Sequence, residues 1–109
     1  MALGLKVIGA GTLGTADASL MLAAVGTGKA MIVKSIRLTN TTAGAVTAIV
    51  KFNRGSPSII ATAFKQSINA NSSVVDTGEI ILEYNDALTG SAGGASSIDY
   101  VISGIERDV

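Results

Sequence analysis

The chain has 109 residues, enough for one domain with a single modest core. It holds no cysteine and no histidine, which removes disulfides, thiolate metal sites, the usual general base and the commonest zinc ligand, and disfavours an enzyme. Charged residues are 15% of the chain against about 25% in an ordinary soluble domain, and apolar residues are 48%; part of so thinly charged a surface is expected to be covered by neighbouring subunits.

Residues 5–13 read as a first strand, 14–17 as a turn and 19–24 as a second strand. The first of these carries VIGAGTLG, which puts Gly9, Gly11 and Gly14 in the G-x-G-x-x-G spacing of a dinucleotide-binding turn. That motif needs a following helix and an acidic residue about 20 positions on for the ribose. A helix from Ala16 would have to stop by Gly26, and residues 31–40 contain no Asp or Glu, so nucleotide binding is not expected. The same glycines and Asp17 interrupt the apolar stretch behind Lys6 that a signal peptide would need, and no run approaches the roughly 20 apolar residues of a membrane span. Synthesis and folding in a cytoplasm are expected.

Residues 31–52 hold two β-rich runs around TTAGA. Ile36 and Leu38 alternate with Lys34, Arg37 and Thr39, while Val46, Ala48, Val50 and Phe52 share one face, a pattern that predicts a hairpin. Further on, 53–58 with the only proline reads as a loop, 59–64 as a short strand, 69–73 as a polar bend and 74–76 as a brief pairing. Residues 79–83 form a strand buried through Ile80 and Leu82, 85–97 a small polar stretch with a short strand near 88–91, and 98–105 a strand in which Ile98, Tyr100 and Ile102 alternate with Asp99, Val101 and Ser103. Short strands at such intervals, without helices between them, predict an all-β domain over 1–109, a jelly-roll-like β-sandwich of about eight antiparallel strands.

Charge is divided along the chain. Residues 1–65 carry Lys6, Lys29, Lys34, Arg37, Lys51, Arg54 and Lys65 against Asp17, a net +6; residues 66–109 carry Arg107 against Asp76, Glu79, Glu83, Asp86, Asp99, Glu106 and Asp108, a net −6. Either the two halves interleave and pair across strands, or a basic and an acidic face meet between copies. Lys34, Arg37, Lys51 and Arg54 are the first place to look for such a contact. The basic residues lack the aromatic interleaving of a nucleic-acid groove. Among the acids, Glu79 and Glu83 stand roughly 13 Å apart along a strand, too far for a glycosidase pair. Calcium on Asp76, Glu79 and Asp86 would lack a D-x-D-x-D-G loop; edge charges that discourage aggregation explain these acids better. No catalytic, cofactor-binding or metal-binding residues are assigned.

Over roughly residues 11–106 the chain resembles a group of small virion proteins of tailed bacteriophages and prophages. The likeness rests on Gly11-Thr12-Leu13, on IVKSIRLTNTT from Ile32 to Thr42, on NANSS from Asn69, on Asp86-Ala87-Leu88-Thr89-Gly90-Ser91-Ala92 and on the closing IDYVISGIE from Ile98 to Glu106. The family usually has Pro where Ala24 or Val25 stands, and Gly where this chain has Asn85. The resemblance implies a non-catalytic structural component of a phage particle, made in the bacterial host cytoplasm and located in the virion. Capsid decoration is the foremost role, with neck or tail structure as the alternative. Its implied partners are further copies of itself and virion proteins such as the major capsid protein, with no nucleic acid, membrane, small-molecule substrate or cofactor. Residues 1–5, MALGL, would then serve as a flexible or docking arm. A glycan- or receptor-binding sandwich of a fibre or spike is the other class considered; Tyr84 is its one reasonable platform, although a tyrosine that caps a strand end is the commoner use.

Overall fold

The alternation at the end of the chain builds the middle of the structure. In a computed structural model, which describes residues 3–22, 24–55, 58–94 and 97–108, Ile98, Tyr100 and Ile102 point into the core from β9 (Ile98–Asp108), with Asp99 and Val101 exposed. Strand β9 lies between β1 (Leu3–Thr12) and β3 (Lys29–Asn40), and β3 in turn pairs with β6 (Ser73–Asp76) and β7 (Ile80–Leu82). The facing sheet runs β2 (Ala18–Ser19), β8 (Asp86–Ala92), β4 (Val46–Arg54), β5 (Ile59–Ile68). All pairings are antiparallel. Among the described residues there are nine strands and no helix. Because β6 and β7 both lie along β3, at Ile36–Thr39 and Met31–Val33, they act as one strand broken at 77–79. With that pair counted as one, the strand order is that of a jelly roll, the sandwich the sequence predicts.

The core is the space between the sheets, filled by Ile8, Leu13, Leu20, Val33, Ile36, Leu38, Ala48, Val50, Ile68, Leu82, Leu88, Ile98 and Ile102. Each large side chain removed from water there contributes at most roughly 1.5–3 kcal/mol.

The expected hairpin at 31–52 does not form. Strands β3 and β4 are consecutive but belong to different sheets, and the chain between them is an arch. Alternation shows which residues face the core, not which strand completes the ladder; Ile36 and Leu38 join the same buried cluster as Ala48 and Val50, but from the opposite sheet. Asn40 makes the arch possible. Fully buried, it donates from Nδ2 to the carbonyls of Gly44 (2.8 Å) and Ile68 (2.9 Å), and its Oδ1 accepts from Thr42 N (2.9 Å) and Thr42 Oγ1 (2.7 Å). The amide's full hydrogen-bonding capacity is thereby met. The actual hairpin of this region is β4–β5.

The second predicted strand shortens to Ala18–Ser19. The chain there leaves one sheet for the other: Leu20 N bonds to Leu88 O on β8, and Leu22 N to Ile8 O on β1. This crossing explains Gly9, where a Cβ would lie 1.8 Å from the Leu20 carbonyl oxygen. The Gly-rich motif is thus a strand that admits a close backbone, with no helix after it. Asn85, at the position where the resembled family has glycine, has φ 71°; asparagine is among the few side chains that adopt this left-handed conformation readily. Residues 3–5 of the expected arm are the start of β1, in register with Arg107, Glu106 and Ile105 of β9, and Met1 and Ala2 lie outside the described residues.

Candidate assembly surfaces

The divided charge of the sequence is largely consumed inside the molecule. Lys6 pairs with Glu106 (3.6 Å), Lys29 with Asp108, Lys34 with Glu79, and Arg54 with Asp86 (2.7 Å) and Glu83 (3.5 Å). Each joins the basic half of the chain to the acidic half, because the sheets interleave them. The exposed pairs contribute about 0–1 kcal/mol each. Arg54–Asp86 differs, since the Asp86 side chain is fully buried. Arg54 grips it through Nε and Nη2, each at 2.7 Å, and Glu83 N donates to it at 2.8 Å. The Arg54 hydrogen bond, opposed by burial and aided by Glu83 N, lowers the Asp86 pKa. The guanidinium carbon lies 5.5 Å from the centre of the Phe52 ring.

The four basic residues of 31–54 therefore make no common patch. Lys34 and Arg54 are paired; Arg37, in register with Val101 and Val75, lies on the outer face of the five-stranded sheet, and Lys51, in register with Thr89, on that of the four-stranded sheet. The acids considered for calcium or catalysis are each tied to a cation or a backbone amide, and Glu83 shares Arg54 with Asp86. Glu79 holds Lys34, Asp86 holds Arg54 and Asp76 accepts from Gly78 N at 3.0 Å. Among the described residues no group of three acids gathers as a metal site.

The two outer faces differ sharply. Across the four-stranded sheet the outward positions are mainly hydroxyl-bearing or basic, with Thr47 and Ser67, Ser91 and Ile49 with Lys65, and Thr89 and Lys51 with Thr62; Ile49 and the exposed Ile60, opposite Asn53, are the aliphatic exceptions. On the five-stranded sheet they are aliphatic. Ala10, Val101, Arg37 and Val75 form one cross-strand row, Ile105, Ile32 and Ile81 another, with Val7, Ser103 and Ser35 between them. Val7, Val75, Val101 and Ile81 are 48%, 46%, 45% and 60% exposed. Ser35 and Ser103 hydrogen-bond each other through their hydroxyls at 2.8 Å, which leaves the middle row little polar demand. A sheet that already buries one apolar face thus shows a second one. The sequence does signal this, because VVD, EIIL and YVI hold apolar residues at both parities of the strand, but the expected alternation assigns the odd positions to solvent.

At the end of this face a groove of about 450 Å³ is lined by Lys29, Ile32, Ile81, Glu83, Tyr84 and Arg107, among others. Tyr84 is exposed at the groove, and Arg107 Nε is buried with no hydrogen-bond partner.

No family model matches the chain, and no curated protein matches it in sequence. Solved structures do match in fold. A protein of the disulfide-linked pili that form endospore appendages of Bacillus is 16% identical with a TM-score of 0.56, covering 99% of this chain and 88% of its own. The NLP core of Drosophila, a structure that bears on pentamer formation and histone binding, is 15% identical with a TM-score of 0.53 over 97% and 98%. The coat protein dimer of tobacco streak virus is 7% identical with a TM-score of 0.52 over 98% and 87%. At these identities the likeness is one of fold.

Proposed function

We propose that this protein is a structural subunit of a viral particle that acts through assembly contacts, and specifically a capsid decoration or accessory protein of a tailed phage. The aliphatic outer face of the five-stranded sheet carries the reading, because a surface of this kind is stable in water when a neighbour covers it. The resemblance over residues 11–106 supplies the phage context, and the tobacco streak virus coat protein and the Bacillus pilus protein show the same sandwich in assembled structures. The disulfide linkage of those pili has no counterpart in a chain without cysteine. Many weak contacts on a repeating shell sum to firm attachment.

The test is a map of particles purified from the host, with peptide mass spectrometry of the same material. Decoration predicts many copies on the shell exterior; a few copies at the portal vertex would mean a neck or tail protein, and absence from the particle overturns the structural reading. A second reading, receptor or glycan recognition, rests on Tyr84 at the 450 Å³ groove. Glycan-array binding that disappears in Tyr84→Ala would favour it over decoration.

A further inference from the structure

The outward residues of β9 have a symmetry that identifies a partner for the aliphatic face. From Asp99 they read Asp99, Val101, Ser103, Ile105, Arg107: an acid and a base equally far from a central serine, with an aliphatic residue on each side between. The neighbouring strands continue the aliphatic rows in part, with Val75 on one side of the Ser35–Ser103 row and Ile32 and Ile81 on the other, while Arg37 takes the place beside Val101.

We propose that a second copy of this chain packs on this face, sheet against sheet, about a two-fold axis along the Ser35–Ser103 row. This deepens the structural-subunit reading and rests on it for its context. In that arrangement Val101 meets the partner copy's aliphatic row at Ile105, Val75 meets it at Ile81, and Asp99 of each copy stands over Arg107 of the other. The Nε of Arg107 is buried within its own copy, so the facing carboxylate meets the outer nitrogens of its guanidinium. Arg37, between Val101 and Val75, lies opposite Ile32 of the other copy and covers it with its alkyl stem. The contact is isologous, so the same charge pair forms twice. Face-to-face packing of two twisted sheets at about 30° accommodates it.

Four strands about 4.8 Å apart, over eight residue steps of about 3.3 Å, make a patch of roughly 500 Å² per copy. The total of about 1,000 Å² is at the lower limit for a specific interface. The dimer is accordingly weak, and is filled where copies are concentrated on a particle.

Sedimentation velocity over a concentration series tests this, with circular dichroism to show that each variant folds. The wild type should pass from monomer to dimer, and Asp99→Arg or Arg107→Asp alone should each raise the dissociation constant about tenfold or more. The double variant Asp99→Arg/Arg107→Asp should recover most of the loss, because each new pair has the opposite sense. Val101→Lys, at an exposed site, should leave a folded monomer. A wild type that stays monomeric to about 1 mM, or a double variant no better than either single, overturns the proposal. If Val101→Lys abolishes particle attachment of a chain that is monomeric throughout, this face meets another virion protein and the structural-subunit reading survives. If the dimer forms and particles lack the protein, that reading fails and the dimer stands.

Discussion

Replacing Asn40 by alanine tests the arch between β3 and β4. The side chain is fully buried and makes four hydrogen bonds of 2.7 to 2.9 Å, two from Nδ2 and two to Oδ1. A net hydrogen bond is worth about 1 kcal/mol, and a buried polar group stranded without a partner costs about 1–3 kcal/mol. In the alanine variant the partners at exposed Gly44 and half-buried Thr42 reach water, but the Ile68 carbonyl, whose residue is fully buried, does not. The expected loss is therefore about 3–4 kcal/mol, a large part of the roughly 5–15 kcal/mol that holds a domain together. Urea denaturation followed by circular dichroism measures it as a fall in midpoint at unchanged slope. Asn40→Asp separates donors from acceptors: it keeps the shape but sets a carboxylate against two carbonyls. It should be worse than alanine at pH 7 and recover as pH falls toward the unfolded value of about 3.9, because burial beside two carbonyls raises the carboxyl pKa and the protonated acid can donate again. A loss in Asn40→Ala below about 0.5 kcal/mol, within the range of a bland surface change, would refute the role of this side chain in shaping the arch.

Two further substitutions read the fold by different physics. Gly9→Ala places a methyl 1.8 Å from the Leu20 carbonyl oxygen; the strand crossing must move, and a loss of about 3 kcal/mol in denaturant is expected, with a loss under about 1 kcal/mol as the contrary result. The Asp86 pKa is lowered by Arg54, so its contribution to stability is full above the unfolded carboxylate value of about 3.9 and disappears as pH falls through the lower folded value. Removing the guanidinium in Arg54→Met leaves burial, which raises the pKa, in control. Thermal melts should then show the variant losing more at pH 7 than at pH 3; parallel profiles for the two proteins would contradict the linkage.

The contrast between the two outer faces has a consequence for orientation. The aliphatic face belongs to the sheet formed by β1, β9, β3, β6 and β7, and the hydroxyl and lysine face to the other. A subunit that buries the first presents the second, with Lys51 and Lys65, to solvent. Weakly charged composition is thus an average over two unlike surfaces.

Much of this was legible in the amino-acid order. Period-two runs such as IDYVIS and MIVKSIRL identify strands and their inward residues, since alternation is a local consequence of the pleat. The absence of an acidic ribose partner and of a helix behind Gly14 removes the dinucleotide motif on local grounds as well. What the sequence could not decide was which strand lies beside which. The ladder of β1 is completed by β9, almost a full chain length away, and β3 followed by β4 has the same alternation whether the two share a ladder or only a core. The fully bonded Asn40 decides that in favour of the arch, and Gly9 opposite Leu20 decides where the chain crosses between sheets. The aliphatic outer face was hidden for the same reason. Val7, Val75, Ile81 and Val101 stand far apart in the chain, and each alone is an ordinary exposed apolar residue. They become a surface only when long-range backbone hydrogen bonds bring β1, β9, β3, β6 and β7 into register.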